Sequence, residues 1–212
     1  MLAFSSNTSA LGRDHMPYSV WKSLHRFKPS QLPTLLDPLL AHGFHPPLLK
    51  KALGIVLDKP GKPSYDPLSS FRVIVLLCTL SKILERVMTS HLLAQVLTCS
   101  LIHPLQCGSL SGRSTADAAL VLQHYIESFL HLRYKVSTLF PDIKAAFANV
   151  ESPAILSLLP SQGVSLYQVQ WVGSFLWDRS RRLTFKGSPR TFTPVLVVVP
   201  QCSHISPLLF VI

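Results

Sequence analysis

Apolar residues recur at helical spacing through most of this chain and gather into strand-like runs in only a few places. From Tyr18 to Leu53, Trp21, Leu24, Phe27, Leu32, Leu35, Leu36, Leu39 and Leu40 are interrupted by Pro29, Pro33, Pro38, Pro46 and Pro47, which predicts short helices broken by proline. Met1 to Met16 has little periodicity and reads as a ragged leader. Ser81 is the expected N-cap of a helix reaching about Val96, with Leu84, Val87, Met88 and Leu92 on its core face. After a loop from Ile102 to Gly112, a second helix opens with Ser114 or Thr115 as cap and Asp117 in its first turn. Its stripe of Ala118, Val121, Leu122, Tyr125, Phe129 and Leu132 is also expected to face the core. Pro153 to Leu159 and Leu166 to Trp177 give two more helices, parted at Gly163.

Strand signals are shorter. Gly54 to Leu57 predicts one strand, followed by the turn Lys59-Pro-Gly-Lys-Pro63 and a loop to Ser70. Phe71 to Leu77 reads as a buried strand, and Arg72 inside it would need an acid, a carbonyl or a phosphate as partner. Lys135 to Phe140 predicts a strand that delivers Asp142 at its end, before a short helix-prone run from Ile143 to Phe147. A strand pair is expected around Lys186-Gly-Ser-Pro189, with the β-prone Val195 to Val199 in its second arm. The class expected is α+β, with helices packed on a small, open antiparallel sheet and Asp142 near its rim.

Composition narrows the partners. A chain of 212 residues suits one domain with a real core, and 48% apolar against 14% charged residues excludes wholesale disorder. Twenty Lys and Arg against ten Asp and Glu leave +10, which favours a polyanion, nucleic acid before anionic membrane. No apolar run approaches the roughly 20 residues of a bilayer span, and no secretory signal is legible. Cys78, Cys99, Cys107 and Cys202 are scattered and read as reduced thiols of an intracellular protein. His42 and His45 read as loop residues and not zinc ligands, and the turn at Lys59 lacks the P-loop pattern.

Two features carry candidate chemistry. A lone acid where a strand hands over to a helix, as at Asp142, presents a metal ligand or simply caps the helix. Arg179, Arg181, Arg182, Lys186 and Arg190 place five cations within twelve residues, interleaved with Leu183 and Phe185. A basic hairpin suits a nucleic-acid backbone, and a charge-guarded edge strand would look the same. The basic chain as a whole tilts the choice towards nucleic acid.

In order along the chain, Lys59 to Pro63, Phe71 to Leu77 with Lys82 to Arg86, Gln106 to Ala118, Asp142 to Val150 and Pro200 to Phe210 resemble the reverse-transcriptase domain of non-LTR (LINE-type) retrotransposons, of the kind carried in fungal genomes. The resemblance implies a partial right-hand polymerase: a leader and helical segment over 1–53, fingers over 54–134 and an incomplete palm over 135–212. It matches Asp142 to the first catalytic, Mg²⁺-holding aspartate and Phe147 to the gate that screens the sugar 2′ position of an incoming deoxynucleotide. Lys59 and Arg72 match fingers residues facing the triphosphate, Gln201 a glutamine beneath the nucleotide, and Arg113 a block near template or primer. Implied partners are an RNA template with a DNA primer, or an RNA–DNA hybrid, and no membrane.

Nucleotidyl transfer uses two Mg²⁺ ions about 3.5–4 Å apart, held by hard oxygen ligands. The family supplies the first aspartate plus an adjacent Asp-Asp pair, and no such pair occurs here; Glu151 and Asp178 are the only acids after Asp142. The expectation is a truncated fragment of an RNA-directed DNA polymerase, inactive alone. The alternatives are a non-catalytic basic nucleic-acid-binding module or a poorly folded remnant. Cys202 stands where the family has glycine, Val73 where it has proline, Pro141 intrudes before Asp142, and Ala148 replaces a frequent second acid. A positive φ at position 202 would make its side chain harmful.

Overall fold

The computed structural model describes residues 5–143, 146, 149–185, 187–195, 199–200 and 202–212, the side chains of Leu68 and Pro189 excepted. Proline does break the first third into short pieces: α1 (Tyr18–Phe27), α2 (Gln31–Ala41) and a 3-10 turn at Pro47–Lys50. Strand β1 (Lys51–Asp58) then turns through a loop into β2 (Phe71–Leu76), and α3 (Thr79–Thr98) follows at once. Next come α4 (Thr115–His131), α5 (Ser152–Ser161), α6 (Leu166–Leu176), the hairpin β3 (Ser180–Phe185) and β4 (Ser188–Pro194), and α7 (Ser206–Val211). Gly187, at φ +81°, supplies the left-handed residue that the two-residue turn between β3 and β4 requires.

The core lies among the helices. Leu84, Met88 and Leu92 of α3 meet Leu36 and Leu40 of α2, Ile155 and Leu159 of α5, Trp171 and Phe175 of α6, and Leu208 and Leu209 of α7 in one buried cluster. The stripe expected on α3 is thus buried. The helix begins at Thr79, two residues before Ser81, so Ser81 is not its cap but an interior residue.

No strand residue belongs to that cluster. The four strands run β2-β1-β3-β4, with β1–β2 and β3–β4 antiparallel and β1–β3 parallel. The expected antiparallel sheet is therefore a mixed one, because β3 returns through the helical body in the direction of β1. The helices pack on one another rather than on the sheet, and β2 is an edge strand of middling burial, not a buried one.

Four further expectations are corrected. The leader is docked: Ser5 is 5% exposed, its carbonyl accepts from Lys22 Nζ at 2.5 Å, and its hydroxyl accepts from Arg86 Nη1 at 2.8 Å. Gly12 lies so close to the β2–α3 junction that a Cβ would stand 2.5 Å from the backbone nitrogen of Cys78. Helix α4 buries no residue among those described, so its apolar stripe is not core, although Ser114 is the cap, as one of the two expected candidates, and forms a capping box with Asp117. Residues 135–143 form neither helix nor ladder, with Leu139 87% and Phe140 77% exposed. A strand needs a ladder, and no described strand lies beside this one. Its β-prone sequence is not sufficient. The second arm of the basic hairpin is 188–194 and not 195–199, of which 196–198 lie outside the described residues.

Candidate nucleotide and nucleic-acid site

Lys59 and Arg72 come together at one end of the β1–β2 hairpin. Asp58 pairs with Phe71 and Leu57 with Arg72, and the Lys59 amide donates to the Ser70 carbonyl at 2.8 Å. Lys59 Nζ donates to the Ser69 carbonyl at 2.8 Å, and Tyr65 donates its hydroxyl to the Lys59 carbonyl at 2.8 Å. The turn is thus tied down from inside. Arg72 is exposed, so the partner that a buried arginine would need is not required.

Asp142 is exposed on the unpaired 135–143 segment and not at the end of a paired strand. Among the described residues no three His, Cys, Asp or Glu side chains gather to hold a metal ion. By type, a carboxylate oxygen suits Mg²⁺, but one carboxylate does not make a two-ion site. Phe147, Gln201 and Lys186, all singled out from the sequence, lie outside the described residues. Cys202, next to Gln201, is exposed and has φ +68°, the left-handed backbone that favours glycine.

The arginines divide by environment. Arg113 Nη1 donates to the carbonyls of Pro104 and Gln106, both at 2.5 Å, and so braces the loop before α4. Arg181 and Arg182 lie half-buried on β3, and adjacent positions put them on opposite faces. Arg182 sets its guanidinium 5.4 Å from the centre of the Phe192 ring. Arg179 is not on the hairpin surface at all. It is 5% exposed, donates to the Phe175 carbonyl at 3.0 Å and lies 4.6 Å over the Phe175 ring. The burial that makes this packing possible removes it from any backbone-binding face, and desolvation holds its pKa below the usual arginine value.

What Arg179 faces is a buried polar network that reading of the sequence missed. Glu85 is fully buried in α3; Oε1 accepts from Ser81 Oγ at 2.8 Å, and Oε2 accepts from Ser203 Oγ at 2.5 Å and the His204 amide at 3.1 Å. Burial raises its pKa, while those donors and the Arg179 charge oppose the rise. Ser81 Oγ also lies 3.4 Å from His45 Nε2. His45 is fully buried, edge-on to Trp171 and Phe175, and burial, with the charges of Arg179 and Lys50 behind it, lowers its pKa to about 3. A signal was present: Ser81, Leu84, Glu85, Met88 and Leu92 share one helical face, so an acid sat on the stripe already assigned to the core. The network fastens the backbone just after Gln201 and Cys202 to α3.

Comparison with known proteins supplies what this geometry leaves open. A family model described as reverse transcriptase (RNA-dependent DNA polymerase) matches residues 57–212. The chain is 31% identical over 184 residues to an RNA-directed DNA polymerase from mobile element jockey of Drosophila melanogaster, covering 84% of this chain and 19% of that protein. It is 28% identical over 183 residues to a probable RNA-directed DNA polymerase from transposon BS of the same species, covering 84% and 20%. The X-element transposon's probable RNA-directed DNA polymerase, also from D. melanogaster, is 26% identical over 205 residues, covering 97% and 22%. The chain thus spans about a fifth of the length of these relatives, none of which is fungal.

Proposed function

Because the chain belongs to the reverse-transcriptase (RNA-dependent DNA polymerase) family, we propose that it supplies the fingers and the start of the palm of a non-LTR mobile-element polymerase, binding nucleic acid and nucleotide without synthesising DNA on its own. Residues 54–134 act as fingers and 135–212 as part of a palm, preceded by the leader and helical segment of 1–53. Lys59 and Arg72, side by side on the β1–β2 hairpin, face the triphosphate of a deoxynucleotide. Phe147 and Gln201 border its sugar and base, and Arg113, Arg181, Arg182 and Lys186 serve template and primer. Arg179, being buried, acts through packing.

One observation carries the inactivity: Asp142 lies on an exposed, unpaired segment, and among the described residues no group of metal ligands gathers round it. Bound Mg²⁺ would neutralise charge on the transferring phosphoryl group and activate the attacking hydroxyl. The described residues supply too few ligands for that. What the chain can do is hold a polyanion, since it carries +10, exposes Arg72 and Arg190 and leaves Arg181 and Arg182 half-buried on the sheet.

Primer extension on an RNA template with Mg²⁺ and deoxynucleotides tests both halves. The purified chain is expected to bind the RNA–DNA hybrid, with affinity falling steeply with salt, and to add no nucleotides. Incorporation that disappears in Asp142→Ala would overturn the inactivity. Absent or salt-insensitive binding by a folded sample would overturn the nucleic-acid reading.

A further inference from the structure

We propose that Arg13, in the docked leader, joins Arg182 and Phe192 of the β3–β4 hairpin to form a phosphate-binding platform for a nucleic-acid strand. This rests on the nucleic-acid reading above and names a site within it. The leader is held at fixed points on both sides of Arg13. Gly12 lies against the backbone of Leu77 and Cys78, and the Met16 carbonyl accepts from Thr79 Oγ1 at 2.7 Å. Arg13 therefore stands where the fold puts it, with its guanidinium 5.6 Å from the centre of the Phe192 ring. Arg182 reaches the same ring from β3 at 5.4 Å.

Two guanidinium groups thus share one aromatic ring that is 37% exposed. The nearest acid in sequence, Asp14, has other partners: its carboxylate accepts from the Met16 amide at 3.3 Å and interacts with Cys78. Planar guanidinium donors suit phosphate geometry, and two of them meet at this ring. Strand register adds a direction. Phe192 pairs with Arg182, Arg182 with Leu53 and Leu57 with Arg72, so all of these side chains lie on one face of the sheet. Arg72 at the far end of that face is about 16 Å away, taking two inter-strand steps and four residues of rise. A strand crossing the sheet could meet cations at both ends.

The test is fluorescence anisotropy of a labelled single-stranded RNA oligonucleotide, and of the DNA of the same sequence, titrated with the purified chain over a range of salt concentrations. Arg13→Ala should lower the slope of log affinity against log salt by about 0.7 and weaken binding about fourfold at physiological salt. Arg26→Ala, the same charge loss on exposed α1, should leave the slope unchanged. A slope unaltered by Arg13→Ala, or lowered equally by Arg26→Ala, overturns the platform while leaving the wider nucleic-acid reading intact. If the unaltered chain binds neither oligonucleotide, both fall. Comparing RNA with DNA shows which strand the site prefers.

Discussion

Replacing Glu85 by glutamine keeps the volume and removes the charge. The carboxylate accepts three hydrogen bonds, two at Oε2 from Ser203 and His204 and one at Oε1 from Ser81. Glutamine has one acceptor oxygen. Turned towards Ser203 and His204, its amide group faces Ser81, whose hydroxyl must then accept instead of donate. Three charge-assisted bonds become neutral ones, each weaker by about 0.5–1 kcal/mol, and buried Arg179 loses an attracting charge. Against this, a buried charge no longer has to be desolvated, which offsets about 1 kcal/mol. The expected net loss is about 2 kcal/mol, and about 4 kcal/mol for Glu85→Ala, which also opens a cavity. Urea unfolding followed by tryptophan fluorescence would report it, since Trp171 is in the core; the midpoint should fall with an unchanged slope. Arg179→Met combined with Glu85→Gln should show a coupling of about 1–2 kcal/mol. Hydrogen exchange at the His204 amide should quicken before global unfolding. A variant within about 0.5 kcal/mol of the parent, with that amide still protected, would refute the view that Glu85 fastens this loop.

Acid should destabilise the fold from neutral pH downwards. The pKa of His45 is depressed to about 3 in the folded state, so its contribution is complete above the unfolded value near 6.5 and is lost as pH falls towards the folded one. At pH 5 that loss is about 2 kcal/mol; His204, lowered to about 4 by burial and by Arg86 and Lys82, acts in the same direction. Melting between pH 7 and pH 4 should show the slope, and His45→Phe should flatten it; an unchanged pH profile would contradict the assignment. Cys202→Gly should stabilise the chain by about 1 kcal/mol by relieving a side chain at φ +68°, and a lower melting temperature would count against that. Gly12→Ala should undock the leader, because the new Cβ meets backbone and no flexible side chain yields. Limited proteolysis would then cut near residue 12, and resistance equal to the parent would show that the leader is held elsewhere.

Much of the local structure was legible from side-chain spacing. The proline-broken α1 and α2, the stripe on α3, the capping box of α4 and the split between α5 and α6 follow from short-range rules: a missing amide, a 3.6-residue period, a cap that accepts from a nearby N–H. The basic balance pointed to a polyanionic partner and the motif order resembled a reverse-transcriptase domain, and neither depends on contacts distant in sequence.

Tertiary structure decided what depends on a partner. Among the described residues, 135–140 have the composition of a strand but no ladder beside them, and the α4 stripe is left uncovered, so neither pattern became core. Arg179 sits in a run of exposed-looking cations yet is buried, because Phe175 and the Glu85 network lie where its chain must pass. Arg13 and Phe192 are 179 residues apart, and only the docking of the leader brings them together. Periodicity tells which way a side chain faces along its own element; what stands opposite is set by long-range packing, where desolvation and charge decide whether the pairing survives.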